Sequence, residues 1–215
     1  MLNNILYVFL IFIIYSFIGW LIETTLFLIK DKRIINRGFL MGPYCPIYGF
    51  GALILLCILS EYKDDPISLF VTFAVYASVL EYFTSYLMEK LFNARWWDYT
   101  QNKFNVNGRI CLENSLAFGM LGVILGYLVH PSMVYLFSLI NQDILIIISI
   151  ILAVIFITDL CITFNIVSKL RKNIVLLNKD MTEDISSQII RVVQNNRFVK
   201  AFPLLQQKID KLIKK

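Results

Sequence analysis

Three carboxylic acids lie inside long apolar stretches of the sequence, where an ionised side chain is costly. They are Glu23, Glu81 and Asp159, and each is followed by a lysine seven to ten residues later. At about 1.5 Å per helical residue, all three carboxyls are predicted at a similar depth, about 10 to 15 Å from one end of their helices. An acid at that depth is a candidate for binding a solute or for acting as a general base.

Small and polar residues continue the faces on which two of these acids lie. Ser16 and Gly19 precede Glu23 at helical spacing, and Ser78 and Ser85 flank Glu81 in the same way. We expect these faces to turn inward and to enclose a shared polar cavity. The alternative is that they are ordinary packing surfaces between helices, with the carboxyls protonated or paired with arginine.

Two basic segments supply the remaining candidates for contact with a substrate, namely Arg37, Tyr44, Arg95, Asp98 and Arg109. The first segment, "RGFLMGPYCPIYGFG" at 37–51, combines prolines that exclude regular helix with glycines that allow close backbone approach. Residues 38–46 are therefore predicted to form an ordered, non-helical element that packs against the first and third apolar segments. It would bring Arg37 and Tyr44 towards the acids, whereas a tight turn at the membrane surface is the alternative.

The elements that must position these residues are membrane helices. Hydrophobic residues make up 58% of the chain, charged residues only 16%, and the mean hydropathy is +0.70, which excludes an ordinary soluble domain. About 20 apolar residues cross a bilayer as a helix. The sequence predicts an all-α, polytopic protein with five transmembrane helices, at about 5–29, 46–60, 67–89, 112–130 and 144–168.

The distribution of lysine and arginine predicts the orientation of these helices. The successive connections carry four, one, four and no positive residues, and the segment from residue 169 carries eleven. Positive charge is retained in the cytoplasm, so the N-terminus is expected outside and the tail inside the cell. Residues 1–168 would then be the transmembrane domain, with a 2+2 parallel repeat followed by a fifth helix as one arrangement.

Residues 169–215 are predicted to form a basic, amphipathic, helical tail in the cytoplasm. Thr182 is a good helix start, Ile185, Ile189, Val192 and Val193 mark one apolar face, and Pro203 begins a second short helix. Such helices lie on anionic lipid or pair with another helix, and nucleic acid is not an expected partner.

The sequence carries no recognisable catalytic or metal-binding constellation. The four cysteines lack the spacing of metal ligands, the one histidine is isolated, and no glycine-rich phosphate-binding loop is present. We therefore expect no catalytic residues, no metal and no cofactor, and any ATP hydrolysis would require a separate ATPase subunit.

Three stretches resemble one bacterial family. "SFIGWLIET", "RGFLMGPYCPIYGFGALIL" and "WWDYTQNKFNVNGRICLENSLAFG" are similar to the family described as putative ABC-transporter permeases, the CmpB-like or type IV group, over residues 7–165. The resemblance implies a multi-pass permease of the bacterial cell membrane, and it implies no particular substrate or catalytic residue.

Two classes of function follow, and a third stays open. The first is a permease-like subunit that binds or moves a small solute at the acids. The second is a membrane-embedded enzyme acting on lipid or lipid-linked substrates, in which Arg37, Arg95 and Arg109 would bind phosphate. The third is a regulatory or assembly protein that contacts another membrane protein through its tail, and a homo-oligomer fits any of the three.

Overall fold

The computed structural model describes residues 2–92, 95–176, 190, 192–201 and 203–213. Within them the chain is mostly helical. The helices are α1 (Leu2–Asp31), α2 (Pro46–Tyr62), α3 (Pro66–Phe92), α4 (Leu112–Ile124), α5 (His130–Ser138), α6 (Gln142–Leu176), α7 (Arg197–Ala201) and α8 (Pro203–Ile213). One hairpin, formed by β1 (Asn105–Val106) and β2 (Ile110–Cys111), lies between α3 and α4.

All five predicted apolar segments are helical, and four of them are long enough to cross a membrane. These four cover Ile5–Ile29, Pro66–Leu91, Leu112–Ser138 and Gln142–Leu170. The second apolar segment, α2, is a shorter helix of 17 residues. The protein is thus helical and multi-pass, and α6 continues past residue 168 to Leu176 without interruption.

A π-helical turn joins α4 to α5, so the two form one continuous helix. It covers Leu125–Val129 and immediately precedes the His130–Pro131 pair. Proline has no N–H with which to bond the carbonyl of Tyr127, and its ring crowds that carbonyl. Widening the preceding turn accommodates the proline without ending the helix.

The first two helices pack in close contact where α2 presents a glycine to α1. A Cβ atom at Gly49 would lie 2.4 Å from Ser16 Oγ and 2.6 Å from the carbonyl oxygen of Phe12. The same helix also carries Gly51, around which a Cβ atom would meet no neighbour within 4 Å. Close approach of α1 and α2 therefore depends on Gly49 and not on Gly51.

Replacing Gly49 with alanine is expected to destabilise the protein, because the backbone oxygen of Phe12 cannot move aside as a flexible side chain could. Overpacking of this kind costs about 1–3 kcal/mol. The matched variant Gly51→Ala should be neutral, or stabilising by up to about 1 kcal/mol through its better helix propensity. Thermal unfolding of both variants in detergent measures the difference, and equal melting temperatures would contradict the packing described here.

The segment between α1 and α2 is ordered and runs back along the C-terminal half of α1. Trp20 Nε1 donates a hydrogen bond to Asn36 Oδ1 at 2.8 Å, and the Cys45 amide donates to the Ser16 carbonyl at 2.9 Å. Ser16 lies near the middle of the Ile5–Ile29 segment. The non-helical chain therefore reaches the level of the centre of α1 before α2 begins at Pro46.

The end of the chain packs against the same side of the helices as this segment. Val193, Val199, Ala201 and Ile209 form an apolar cluster with Trp96 and Leu170. The predicted second tail helix is present as α8, whereas the predicted helix start at Thr182 lies outside the described residues. Because its buried face contacts its own chain, this part of the tail pairs with the helices of the same protein.

Candidate solute-binding cavity

A cavity of about 180 Å³ lies between the α1–α2 pair and the α3–α4 pair. Its walls come from four helices and from the two segments that precede α2 and α4. The lining residues are Glu23, Arg37, Ile47, Tyr48, Gly51, Ala52, Phe73, Ala77, Glu81, Trp97, Tyr99, Phe118, Leu121 and Leu125. Most of the wall is apolar or aromatic, and the charged groups are few.

The two glutamates of the cavity each accept a hydrogen bond from a tyrosine. Tyr48 Oη donates to Glu23 Oε1 at 2.8 Å, and Tyr99 Oη donates to Glu81 Oε1 at 3.0 Å. Glu81 is only 7% exposed, and its Oε2 atom is buried without a hydrogen-bond partner among the described residues. The Glu81 side chain thus lines the cavity with one carboxylate oxygen bonded by Tyr99 and the other buried in the wall, where the Asn114 side chain lies beside the carboxyl.

The surroundings of Tyr99 keep its phenol protonated, so that it can donate a hydrogen bond. Its burial, together with the nearby Glu81 carboxyl, raises the pKa of Tyr99 well above its ordinary value. The phenol therefore stays protonated at physiological pH and continues to donate to Glu81.

The hairpin between α3 and α4 brings Tyr99 and Trp97 to the cavity. The Tyr99 amide donates to the Gly108 carbonyl at 2.8 Å, and Trp97 Nε1 donates to the Arg109 carbonyl at 3.1 Å. Asp98 points elsewhere, because its Oδ1 accepts from the Thr100 amide at 3.0 Å. Asp98 therefore shapes the hairpin and does not line the cavity.

Arg109 and Arg95 also lie outside the cavity, and both contact the same acid on α3. Arg109 Nη2 is 2.6 Å from Glu89 Oε2, and Arg95 Nε is 3.3 Å from that oxygen. The Arg109 guanidinium further lies 5.6 Å and 5.4 Å from the ring centres of Tyr82 and Tyr86. Both arginines thus bind the connection between α3 and α4, which contains the β-hairpin and is called the hairpin segment below, to the end of α3.

Asp159 anchors the segment before α2 instead of joining the two glutamates. Its carboxylate accepts hydrogen bonds from the backbone amides of Met41, at 2.9 Å, and Gly42, at 2.7 Å. A Cβ atom at Gly42 would lie 2.9 Å from Asp159 Oδ2, so this approach requires glycine. The segment predicted to pack against α1 and α3 therefore has its polar anchors on α1 and α6.

Tyr44 belongs to the same anchoring region. It is buried, and its ring centre lies 5.9 Å from that of Phe156 on α6 in an edge-to-face contact. Arg37, in contrast, lines the cavity, and its guanidinium also lies 5.0 Å from the centre of the Phe27 ring. Arg37 Nη1 donates to the Ala201 carbonyl, so the tail touches a residue of the cavity wall.

Of the eight residues predicted for the site, the structure brings Glu23, Arg37 and Glu81 together at the cavity. Tyr44, Arg95, Asp98, Arg109 and Asp159 lie elsewhere and hold the two connecting segments in place. The lining residues not predicted for it include Tyr48, Trp97 and Tyr99.

An internal correspondence could have pointed to Tyr48. Cys45 and Cys111 are both buried and both immediately precede a helix, α2 or α4. Three residues later, Tyr48 contacts Glu23 and Asn114 lies beside Glu81. When Cys45 is aligned with Cys111, Tyr48 is aligned with Asn114, and each of these two residues lies beside a glutamate of the cavity. The two residues between each cysteine and its partner differ between the two segments.

Among the described residues, no group of three or more His, Cys, Asp or Glu side chains could hold a metal ion. The arrangement instead offers two carboxyls, one guanidinium and several aromatic rings around a small space. Such a cavity can bind a small solute through charge and ring contacts.

Comparison with known proteins adds one finding. No curated protein and no solved structure matches the chain. Residues 10–164 match a family described as "Putative ABC-transporter type IV". With its long apolar helices this indicates a multi-pass, transporter-like membrane protein. More than half of the chain is matched, and the protein therefore belongs to this family.

Proposed function

We propose that the protein is a permease-like membrane subunit that binds a small solute in the cavity and moves it across the bilayer. The observation that carries this proposal is that Glu23 and Glu81, from two different helix pairs, line one cavity. Each pair could move as a unit and change the access to the glutamates from one side of the membrane to the other. The two matched glutamate contacts support an arrangement of α1–α2 and α3–α4 as a parallel repeat.

The proposed chain path crosses the bilayer five times, although four helices in the described part of the chain are long enough to span it alone. Because α2 starts level with the centre of α1, its length of about 25 Å is more than enough to reach the far surface. The segment before α2 would complete the second crossing as a re-entrant element. Its backbone is covered by α1 and α6, as non-helical backbone at membrane depth requires.

The proposed orientation has the N-terminus outside and the C-terminus in the cytoplasm of a bacterial cell. It is supported by the four positive residues in each of the connections after α1 and α3, and by the eleven in the tail. An ATPase subunit would then meet the cytoplasmic face. Since Val199 and Ile209 are buried against the protein's own helices, such a partner would contact the exposed side of the tail, which includes Lys200, Gln206 and Lys211.

The geometry favours a permease over a lipid-directed enzyme. The enzyme hypothesis requires Arg37, Arg95 and Arg109 to bind phosphate together. Arg109 instead pairs with Glu89, and Arg95 pairs with both Glu89 and Asp98. Their charges are thus already used to hold the hairpin segment.

Chemical labelling of Gly51→Cys tests whether the cavity is open to water. Gly51 lines the cavity and has space for a side chain, so cysteine fits there without a clash. The variant is made in a background whose four native cysteines are replaced by alanine, and it is reconstituted in lipid vesicles. Charged, water-soluble methanethiosulfonate reagents are expected to label it, and labelling is read by mass spectrometry.

Val79→Cys in the same background is the matched control. Val79 is two residues before Glu81 on α3, but its side chain is 61% exposed on the outer surface of the helices and would face lipid. It should resist the same reagents. If Gly51→Cys is labelled no faster than Val79→Cys, from either side of the vesicle, the cavity is closed to water and the permease proposal fails.

A further inference from the structure

The side chains that line the cavity include more acidic groups than basic groups. Two carboxyls, on Glu23 and Glu81, line it with one guanidinium, that of Arg37. The Arg37 guanidinium also contacts the Phe27 ring and the Ala201 carbonyl, which hold it at the edge of the cavity next to the tail. One unit of positive charge is therefore needed to neutralise the group when both carboxyls are ionised.

The second observation concerns Glu81 alone. Its side chain is more than nine-tenths buried, and Oε2 accepts no hydrogen bond of ordinary geometry from the described residues, although the Asn114 side chain lies beside the carboxyl. A buried acceptor of this kind costs free energy unless a donor or a cation approaches it. Glu81 thus favours a ligand that brings a positive charge or a hydrogen-bond donor close to its carboxyl.

The walls indicate what else the ligand carries. Phe73, Phe118 and Trp97 line the cavity together with Tyr48 and Tyr99. Aromatic faces attract cations, and with Leu121 and Leu125 they also favour apolar groups over a fully hydrated metal ion. Pockets for drug-sized ligands measure roughly 300–1,000 Å³, so a cavity of about 180 Å³ admits only a smaller molecule.

From this combination we propose that the solute is a small organic monocation, an ammonium compound with apolar substituents. Its charge lies against Glu81 and Glu23, and its apolar part contacts the aromatic walls. The assignment rests on the proposed function, because it names the class of solute for the same cavity.

Binding to the purified full-length protein in lipid nanodiscs tests the assignment. The ligands are choline, its neutral carbon analogue 3,3-dimethylbutan-1-ol, and inorganic phosphate, measured by calorimetry at matched ionic strength. Choline is expected to bind saturably and at least about tenfold more tightly than the neutral analogue, which corresponds to about 1.4 kcal/mol. Equal affinity for the neutral analogue, a preference for phosphate, or no binding of choline would each overturn the proposal.

Two variants then locate the charge effect. Glu81→Gln is expected to weaken choline binding at least about tenfold, whereas Glu113→Gln should leave it unchanged. Glu113 is exposed at the start of α4, so the control removes the same charge outside the cavity. Unchanged binding in Glu81→Gln would contradict the assignment. If that variant fails to fold, the comparison of choline with its neutral analogue in the unaltered protein decides.

The outcomes separate this assignment from the proposed function. If Gly51→Cys is labelled but choline is not preferred over its neutral analogue, the permease proposal stands and the assignment of an organic cation as the solute is rejected. If Gly51→Cys is not labelled and choline is not preferred, both proposals are rejected.

Discussion

Replacing Asp159 with asparagine is expected to detach the segment before α2 from α6 and to destabilise the protein. The carboxylate accepts two backbone hydrogen bonds, from Met41 and Gly42. Asparagine offers only one oxygen, so one buried amide would face the NH₂ group of the new side chain. Loss of a hydrogen bond to a charged acceptor costs about 1.5–3 kcal/mol. The melting temperature in detergent and the rate of proteolysis after Arg37 measure the effect.

Thr158→Val is the matched control for this variant. Thr158 is the neighbouring residue on α6, is exposed, and bonds only the Val154 carbonyl of its own helix, at 2.8 Å. It should retain the stability and the proteolysis pattern of the unaltered protein. An Asp159→Asn protein that behaved like Thr158→Val would show that the segment is held by its apolar contacts alone.

Replacing Arg109 with methionine is expected to lower the free energy of unfolding by about 2 kcal/mol. The Arg109 side chain is only 11% exposed and pairs with Glu89 at 2.6 Å, while its guanidinium also contacts the Tyr82 and Tyr86 rings. Removing one partner of a buried ion pair leaves the other charge without compensation, which costs about 3–5 kcal/mol when both are fully buried. The loss expected here is smaller, because Glu89 is 34% exposed and keeps its contact with Arg95 at 3.3 Å.

Arg95→Met provides the comparison, because Arg95 contacts the same oxygen of Glu89 from a more exposed position. Its side chain is 30% exposed and its contacts to Glu89 and Asp98 are longer, at 3.3 and 3.5 Å. Exposed ion pairs contribute about 0–1 kcal/mol, so this variant should be nearly neutral. Thermal unfolding of the two variants separates them, and a larger loss for Arg95→Met would reverse the roles assigned to the two arginines.

The positions of the helices could be predicted because each depends on a local property of the chain. An apolar run of about 20 residues has few alternatives to a helix in a bilayer, and Pro46 and Pro66 each begin a helix where proline is tolerated. The short length of α2 was harder to predict. It depends on where the non-helical segment meets Ser16, which is a contact between residues distant in the sequence.

The candidate site was predictable only in part, and Asp159 shows why. It shares a predicted depth and a carboxyl side chain with Glu23 and Glu81, and sequence spacing predicts depth along a helix. It does not predict which neighbour each helix meets. Asp159 lies on α6, which packs beside α1 and away from the cavity, and its carboxylate is used by the Met41 and Gly42 amides.

The sequence by itself determined the membrane class, the helical segments, the positions of the acids along their helices and the non-helical character of the predicted segment 38–46, apart from Pro46, which begins α2. These follow from hydropathy, charge and proline placement, which act over a few residues. Only the tertiary structure decided that Glu23 and Glu81 share a cavity, that Tyr48 and Tyr99 bond them, and that the tail reaches Arg37. Those contacts depend on how two helix pairs pack and on the path of the hairpin segment, and close packing of distant residues leaves no local pattern in the sequence.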